Sequence, residues 1–424
     1  MGNLDYTQVL NKIENTRRFG NEPGVVVTAQ VIKVLREKGK QKRIIPYIHV
    51  AGTNGKGSVC AFFSSILKKE HMRVGTFVSP HLVDFEERIT VDGRMIPKED
   101  VTRLGNYLLD IDFGIGLTMF DYCLAMALLY FEEQQCDYMV IETGLGGRLD
   151  STNAIGTPQC AVITKIGYDH MAILGSDIAD IATEKAGIIK ENGTVVVEQQ
   201  DKRAMQVIEQ EAKKKHARII TVEQSDIARC SGYALRLCGT FQWENAAAAE
   251  LAARYVLGKR YGGLKYEMQY DKTEPKSEET DLNDRIKSAL EEAVWPGRME
   301  IVSKEPFLLV DGAHNSNGVD ALKESLMQMY PGEKFCFFMG VMADKDYDVM
   351  IREILPLAEE FYTVTPDSDR ALQASHLADF IRKEGVCATE LSGVDEIRKH
   401  LKRDTKNVAF GSLYFIGELK QHRI

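Results

Sequence analysis

Strand-length apolar runs alternate with amphipathic, helix-length segments along most of the chain, and this alternation restricts the fold more than any other feature. Runs that are apolar at nearly every position predict strands buried on both faces, as in a parallel sheet covered by helices. The runs in the first part of the chain are IIPYIHVAG, VGTFVSP, YMVIETG, CAVITKIG, TVVVEQ and RIITVE. We therefore predict an α/β fold with a parallel-rich sheet flanked by helices.

The same alternation starts again near residue 298, after a polar and charged stretch at 261–284 that we interpret as a surface loop or insertion. The later runs are MEIVS, FLLVDG, KFCFFMGVM, EFYTVTP and NVAFGSLYF. Because the 424 residues exceed the roughly 250–300 at which one hydrophobic core stops growing, two domains are expected. We place the boundary near Pro296, which gives an N-terminal domain at 1–296 and a smaller, Rossmann-like α/β domain at 297–424.

Charge and cysteine usage argue against several classes of protein. A net charge of −9 disfavours a nucleic-acid or anionic-membrane surface. The start, MGNLDYTQVL, lacks the features of a signal peptide, and the apolar stretch at 114–131 is cut by Asp121 and predicts a buried helix. The eight cysteines form no CxxC pair and suit reduced core thiols. We expect a cytoplasmic protein without a nucleic-acid or membrane partner.

The stretch HVAGTNGKGSVC at 49–60 links a strand-like run to a helix-like one. Such a glycine-rich turn aims backbone N–H groups at an anion, where the helix dipole also favours negative charge. Lys56 is predicted to reach terminal phosphates and Ser58 to meet magnesium, although Gly57 separates them and departs from the usual GxxxxGK[ST] spacing. A turn with no chemical role is the alternative. The predicted nucleotide-binding residues of this P-loop ATPase-like domain are Asn54, Gly55, Lys56, Gly57 and Ser58.

Six motifs occur in a fixed order along the chain. They are GTNGKGS, SPHL (79–82), IETGLGGRLDSTN (141–153), DHMAILG (169–175), EKAGIIK (184–190) and DGAHN (311–315). Together they resemble the folylpolyglutamate synthase/dihydrofolate synthase family, within the wider Mur ligase group, from about residue 16 to 416. The resemblance implies ATP-dependent amide formation, in which a carboxylate becomes an acyl phosphate and the amine of L-glutamate then displaces phosphate.

The resemblance also implies magnesium at two sites, with ATP as co-substrate. Ser79, Glu142 and His170 each follow a predicted strand, where ligands collect on a parallel sheet, and the matching family residues bind magnesium. Lys185 would carry a carbamate for a second magnesium ion, which requires a neutral amine. The alternatives are a helix-capping Glu142, a structural His170 and a solvated Lys185.

Later motifs match further residues of the family. Asn245 in QWENAAAA matches a nucleotide-contacting asparagine, with a helix cap as the alternative. Arg298 and Asp311 match the arginine and aspartate of the C-terminal domain that close over ATP. His314 and Ser412 are assigned to the glutamate side. The active site is then expected between the domains, with AVWPGRM as the hinge. The predicted catalytic residues are Lys56, Lys185 and His314.

The acceptor substrate is predicted from the motif GLGGRLDSTN. Its Arg148 and Asp150 resemble family members that use dihydropteroate as well as folates, and Asp150 would accept hydrogen bonds from the pterin. Thr118, Phe120 and the stretch FGNEPG at 19–24 would complete the pocket. The alternative is a local Arg148–Asp150 ion pair that stiffens the loop. We expect ATP, folate or dihydropteroate, and L-glutamate as the small-molecule partners of a monomer.

Other functions are possible on this sequence. A catalytically silent nucleotide-binding regulator would show damage among Glu142, His170, Lys185 and Asp311, and all four are intact. A peptidoglycan-precursor ligase would need a domain for a UDP-linked sugar, and only about fifty residues precede the phosphate loop. Folylpolyglutamate synthase activity alone is the nearest alternative.

Overall fold

The computed structural model describes residues 3–17, 20–260 and 277–424. Their contacts divide the chain into two compact α/β units. The first consists of the described residues of Met1–Ala234 and Glu244–Ala293, and the second of Leu235–Trp243 and Val294–Ile424. The fold class is therefore as predicted, and the domain boundary at 296/297 stays a prediction.

The first unit is built on a sheet of eight described strands in the order β4-β3-β2-β5-β1-β6-β7-β8. The six neighbouring strands β2-β5-β1-β6-β7-β8 are all parallel. Strands β3 and β4 add an antiparallel edge beside β2. All six predicted strands are present. The strands are β1 (Tyr47–Ala51), β2 (Val74–Phe77), β3 (Ile89–Val91), β4 (Arg94–Met95), β5 (Tyr138–Glu142), β6 (Cys160–Ile163), β7 (Thr194–Val197) and β8 (Arg218–Thr221).

Helices alternate with these strands. They are α1 (Tyr6–Glu14), α2 (Gly24–Glu37), α3 (Lys56–Lys69), α4 (Lys98–Leu109), α5 (Met119–Glu133), α6 (Met171–Leu174), α7 (Ile178–Ala186), α8 (Lys202–Lys214), α9 (Gln224–Ser231), α10 (Phe241–Arg260) and α11 (Ser277–Glu292), with 3-10 turns at Phe85–Arg88 and Ser151–Ala154. Strands β1 and β5 are buried along their whole length. Helices therefore cover both faces of the central sheet, as near-continuous apolar strands require.

The predicted buried helix at 114–131 is α5, which starts at Met119 and is buried from Cys123 to Phe131. Its start is fixed by a capping box between Thr118 and Asp121, which the apolar periodicity alone does not reveal. The prediction of a loop over 261–284 is wrong for its last residues, because α11 begins at Ser277. Residues 261–276 lie outside the described part of the chain.

The second unit has six described strands in the order β13-β12-β11-β14-β10-β9, of which only β9 is antiparallel to its neighbour. Three adjacent core strands carry a cluster of buried phenylalanines that includes Phe337, Phe361 and Phe410. The elements are β9 (Glu300–Lys304), β10 (Phe307–Val310), β11 (Phe335–Met339), β12 (Ala358–Thr363), β13 (Ala388–Glu390), β14 (Lys406–Phe410), α12 (Ser316–Met329), α13 (Tyr347–Ile354), α14 (Ala374–Lys383), α15 (Ile397–His400) and α16 (Leu413–Gln421), with 3-10 turns at Leu355–Leu357 and Val394–Glu396.

The cysteines and the helix lengths bear on two of the predictions made from composition. All eight cysteines lie among the described residues as free thiols, and six of them are buried, which confirms the expected core thiols. Within residues 3–17, 20–260 and 277–424, no helix is both long enough and apolar enough to cross a bilayer.

Candidate active site

The phosphate loop joins the end of β1 to the start of α3, as predicted. Gly55 precedes the helix with φ of +91°, a backbone conformation that glycine adopts without strain. A Cβ atom at this position would overlap Oδ1 of Asn245. The loop therefore needs glycine for two reasons, and Asn245 lies directly against it. Asn245 falls inside α10, so the alternative of a helix cap is wrong.

The segment that follows β6 is hydrogen-bonded to the backbone of the phosphate loop. The carbonyl oxygen of Lys165 accepts hydrogen bonds from the backbone N–H groups of Thr53 and Asn54, at 2.9 and 3.3 Å. Thr164 Oγ1 donates to the Asn54 carbonyl at 2.6 Å. The carboxylate of the buried Glu198, which follows β7, accepts the Lys165 N–H at 2.7 Å. The end of β7 therefore stabilises the segment that contacts the phosphate loop. The sequence pattern did not predict this support, because its main acceptor is a backbone carbonyl; the polar TK pair after the buried CAVI run indicates only where the strand ends.

Ser79 and Glu142 meet because β2 and β5 are parallel neighbours whose carboxyl ends lie at one edge of the sheet. Phe77 pairs with Ile141, and the Ser79 N–H donates to Oε2 of Glu142 at 3.1 Å. Glu142 is only 4% exposed, and Nζ of Lys56 lies 3.8 Å from its Oε1. The predicted phosphate-binding lysine and two predicted magnesium ligands are thus brought together.

Lys185 reaches the same loop from α7. Its side chain is buried, and its Nζ donates to the carbonyl oxygen of Gly52 at 2.8 Å. Burial, followed by the nearby Lys56 ammonium, lowers the pKa of the Lys185 amine to about 7, against smaller opposing effects of Asp169 and Asp150. The alternative of a solvated lysine is therefore wrong, and a neutral amine is accessible near neutral pH.

His170 is the N-cap residue of the short helix α6. It adopts a left-handed backbone conformation with φ of 52°. Its side chain is 40% exposed, and Nε2 lies 3.9 Å from Oδ2 of Asp169. Among the described residues, no three His, Cys, Asp or Glu side chains form a cluster that could hold a metal. A magnesium site here would therefore depend on the Ser79 hydroxyl and the Glu142 carboxylate, both hard oxygen donors that suit this ion, together with ligands from outside that set.

The loop after Glu142 is organised around Asp150. Its carboxylate accepts the Leu145 N–H at 2.8 Å, the Thr152 N–H at 3.0 Å and the Thr152 hydroxyl. Burial raises the pKa of Asp150 against these hydrogen bonds. The Thr152 hydroxyl in turn lies 2.7 Å from Nε2 of the buried His49 on β1. These bonds fix the loop that carries the predicted pterin-binding aspartate.

Arg148 pairs with a residue from another element. Its guanidinium donates to Oε1 of Glu184 on α7 at 2.6 Å, and its backbone N–H donates to the Glu184 carbonyl at 2.7 Å. The alternative of a local ion pair between Arg148 and Asp150 is therefore wrong. More than half of the Arg148 side chain stays accessible to solvent, so the residue is available to a ligand.

The other predicted pterin residues lie at the start of α5. The Phe120 ring packs edge-on against Phe77, with 5.5 Å between ring centroids. Gly144 approaches Phe120 so closely that a Cβ would collide with the ring. Thr118 is the N-cap of α5. Of the stretch at 19–24, Phe19 lies outside the described residues.

Within the second unit, the structure brings Arg298, Asp311 and His314 together. The buried Asp311 carboxylate accepts the N–H groups of Met299 and Ala313, each at 2.8 Å. Burial raises its pKa, and Arg298 is the largest opposing influence. A Cβ at Gly312 would overlap Nη1 of Arg298, so the guanidinium lies over the DGAHN turn.

His314 and Ser412 follow neighbouring parallel strands of the second sheet. Nδ1 of His314 lies 2.8 Å from the Gly312 carbonyl oxygen, which fixes the ring against its own turn. Ser412 is nearly fully buried, and its Oγ accepts the Phe415 N–H at 3.0 Å as the N-cap of α16. A backbone bond of 3.0 Å from Gly411 to Ala313 joins the two turns.

Two family models match the chain. The Mur ligase middle domain matches residues 50–253, and the Mur ligase, glutamate ligase domain matches residues 297–411. The first includes the phosphate loop, Glu142, Lys185 and Asn245, and the second includes Arg298, Asp311 and His314. The two models therefore cover these residues of each unit, while Ser412 lies one residue beyond the second match.

Individual proteins are similar over the full chain. The dihydrofolate synthase/folylpolyglutamate synthase of Bacillus subtilis (strain 168) is 32% identical over 453 aligned residues, which cover 98% of both chains. The structure of Mycobacterium tuberculosis folylpolyglutamate synthase complexed with ADP and AMPPCP superposes with a TM-score of 0.83 at 25% identity, covering 99% of this chain and 98% of that one. E. coli FolC in complex with DHPP and ADP gives 0.80 at 26% identity, with 99% and 97% coverage.

Proposed function

The chain belongs to the dihydrofolate synthase/folylpolyglutamate synthase family, and we propose that it joins L-glutamate to folates and to dihydropteroate with conversion of ATP to ADP and phosphate. The observation that carries this proposal is the convergence of Lys56, Glu142 and Lys185 on one glycine-rich loop. Such a site binds phosphate and activates a carboxylate, which is the chemistry of an ATP-dependent amide ligase.

The reaction proceeds in two displacement steps. A carboxylate oxygen of the acceptor substrate bonds to the γ-phosphorus of ATP while the bond to the bridging oxygen breaks, which leaves ADP and an acyl phosphate. The neutral amine of L-glutamate then attacks the acyl carbon. Phosphate leaves with the bonding electron pair and the amine loses a proton, so the products are the amide, ADP and phosphate.

The phosphate loop serves the first step. Backbone N–H groups of Gly55 to Ser58 and the α3 dipole bind the phosphate chain, while the Asn54 N–H holds the loop on the Lys165 carbonyl. Lys56 neutralises charge that develops on the transferred phosphoryl group. Asn245 lies against Gly55 and contacts the nucleotide. In the second unit, Arg298 provides a planar fork of donors suited to phosphate, and Asp311 holds the turn beside it. We propose that these two residues close over ATP.

Magnesium suits the donors that meet at the end of β2 and β5. Ser79 and Glu142 would bind one ion, with His170 as the third residue, and Lys185 as a carbamate would bind a second. When bound, magnesium neutralises negative charge on the phosphate oxygens. The buried Lys185 amine, with its pKa lowered to about 7, can react with carbon dioxide to give the carbamate and a released proton. Its bond to the Gly52 carbonyl keeps it beside the loop.

The acceptor and the amino acid are bound by separate groups of residues. Thr118, Phe120, Arg148 and Asp150 form the pterin-binding side, where the aromatic ring contacts the pterin and Asp150 binds its N–H groups. On the glutamate side we assign His314 and Ser412, with His314 also accepting the proton that the amine loses.

A substrate panel tests the proposal. Purified protein is incubated with magnesium, ATP and L-glutamate together with dihydropteroate, tetrahydrofolate or no acceptor, and products are identified by mass. We expect one added glutamyl residue on each acceptor and stoichiometric phosphate release. Extension of tetrahydrofolate without dihydrofolate formation would leave the folylpolyglutamate synthase activity alone. Phosphate release without any glutamylated product would contradict the ligase. Sedimentation in the same buffer tests the proposed monomer.

A further inference from the structure

One buried carboxylate, Asp121, joins three segments of the first unit. Its side chain is 2% exposed. Oδ2 accepts the N–H of Thr118 at 2.8 Å and its hydroxyl at 2.7 Å. Oδ1 accepts the Ser151 hydroxyl at 2.6 Å and the Thr28 hydroxyl at 3.4 Å. The partners lie at the start of α5, in the loop after Asp150, and in α2.

Each of these partners is adjacent to a residue of the proposed pterin pocket. Thr118 is itself in that set, and Ser151 follows Asp150 directly. Helix α2 follows the stretch at 19–24, and its Val25 N–H donates to the carbonyl oxygen of Leu149 at 3.1 Å. Ser151 and Thr28 lie 30 and 93 residues from Asp121 in the sequence, so one carboxylate links segments that are far apart along the chain.

The packing between these segments leaves little freedom. A Cβ at Gly24 would overlap the Ser151 hydroxyl, so the start of α2 lies directly on the 3-10 turn Ser151–Ala154. Removing the Asp121 carboxylate would leave its four donor groups without an acceptor, and buried donors without a partner destabilise the fold. The segments therefore have one low-energy arrangement, and Asp121 determines it.

We infer that Asp121 is a positioning residue that holds the Thr118 side and the Asp150 side of the acceptor pocket at the separation that the pterin requires. This inference rests on the proposed function. Asp121 acts through its partners, since its buried carboxylate is bound by Thr118, Ser151 and Thr28. It acts on the affinity for the acceptor and leaves ATP binding at the phosphate loop unchanged.

The test compares three variants. Asp121→Ala removes four hydrogen bonds, Ser151→Ala removes the 2.6 Å bond, and Thr28→Val removes the 3.4 Å bond. We expect the KM for dihydropteroate and for tetrahydrofolate to rise about tenfold or more in Asp121→Ala, because displacing a binding group by about 1 Å is expensive. Ser151→Ala should show a smaller rise and Thr28→Val almost none, while the KM for ATP stays within about twofold in all three. Asp121→Asn is expected to recover most of the affinity, since the amide oxygen can still accept from Thr118 and the Ser151 hydroxyl can rotate to accept.

Asp226→Ala is the matched control. Asp226 occupies the same third position in the capping box of α9 and is similarly buried, but it contacts none of the pocket segments described above. It should lower Tm as Asp121→Ala does without changing either KM. If Asp121→Ala and Asp226→Ala lose kcat equally and the acceptor KM of both is unchanged, the inference is overturned and Asp121 is a purely structural residue.

Equilibrium binding of dihydropteroate, followed by its fluorescence, separates this inference from the proposed function. If the wild-type protein binds dihydropteroate but forms no amide, the proposed function fails, and the order of dissociation constants among the variants still decides the role of Asp121. If the wild type is an active ligase and Asp121→Ala binds dihydropteroate equally well, only the inference fails. If the wild type binds tetrahydrofolate but not dihydropteroate, the folylpolyglutamate synthase activity alone remains, and the order of tetrahydrofolate dissociation constants among the variants decides the role of Asp121.

Discussion

Nζ of Lys56 lies 3.8 Å from Oε1 of Glu142, so the partly buried cation at the start of α3 and the buried carboxylate at the end of β5 form one ion pair. Oε2 of the same carboxylate accepts the Ser79 N–H. The phosphate loop and two adjacent strand ends are therefore coupled through Glu142. A ligand that brings its own negative charge would compete with Glu142 for Lys56, and a cation bound at Glu142 would release the lysine.

Removing this lysine should abolish ligation without unfolding the protein. For Lys56→Ala we expect turnover below about a tenth of wild type, because one charge that faces the phosphoryl group is lost. Circular dichroism should keep the wild-type spectrum. Lys69→Ala is the control, since Lys69 lies at the other end of α3 in a surface pair with Glu292 at 2.8 Å. Wild-type turnover in Lys56→Ala would contradict the assignment of the loop.

The buried His49 should make the protein sensitive to acid. Burial, with a smaller effect of the Lys190 ammonium, lowers the pKa of His49 to about 3. In the unfolded chain the imidazole takes up its proton below about pH 6.5, whereas in the folded chain it stays neutral until about pH 3. The unfolded state therefore binds more protons in this window, and the free energy of unfolding falls as the pH falls through it, by up to about 1.4 kcal/mol per pH unit.

His49→Asn should reduce this pH dependence. Urea unfolding followed by circular dichroism at pH 7.5, 6 and 5 is expected to show the variant less stable than wild type at pH 7.5, because the bond to Thr152 is changed, with the difference narrowing toward pH 5. His216→Asn is the control, since it changes an exposed histidine with a left-handed backbone that asparagine tolerates. A constant difference between His49→Asn and wild type at all three pH values would contradict the burial argument.

The sequence predicted the parts of the fold that depend on strong apolar patterns. The long strands β1, β5 and β11 were found because they are buried on both faces. The edge strands β4 and β13 were missed because they have two or three residues and are largely exposed, which gives no apolar run. The order β2-β5-β1-β6 follows from packing between distant segments, and no local pattern encodes it.

The site was predictable where chemistry depends on a side chain next to a strand end. Ser79 and Glu142 follow adjacent parallel strands, and they meet as expected. The support of the loop by the Lys165 carbonyl was not predictable, because any residue could supply that backbone group. The partner of Arg148 was also missed, since Glu184 lies 36 residues further along the chain and is reached only when α7 packs beside the loop.

Gly55 should tolerate no side chain. Gly55→Ala places a methyl group on Oδ1 of Asn245 and forces alanine to adopt φ of +91°. We expect the KM for ATP to rise about tenfold or more, because the loop and α10 must separate. Gly39→Ala is the control, since Gly39 also has a positive φ of +66° but no atom within 4 Å of the added Cβ. It should cost about 1 kcal/mol of stability and leave the KM for ATP unchanged.

Lys185→Ala should be nearly inactive and partly rescued by formate or acetate, because the group that is lost under the proposed function is a carboxylate and not an amine. Turnover is measured with increasing concentrations of each acid. Lys190→Ala is the control, since this half-buried lysine on the same segment donates to the Asn153 carbonyl at 3.0 Å and no carboxylate should rescue it. A high-resolution crystal structure with an unmodified Lys185 ammonium beside bound magnesium and substrates would contradict the carbamate.

Variants of the Arg148–Glu184 pair distinguish a substrate-binding role of Arg148 from a merely stabilising one. Its ion pair with Glu184 is half exposed on the arginine side, and such pairs contribute about 1 kcal/mol or less. Arg148→Ala should therefore change Tm by only a few degrees, whereas a role in acceptor binding predicts a KM for dihydropteroate that rises about tenfold. Glu184→Gln removes the same ion pair but keeps the arginine, so it should match Arg148→Ala in Tm and leave the KM within about twofold of wild type. Equal KM values in the two variants would mean that Arg148 serves only to hold the loop against α7.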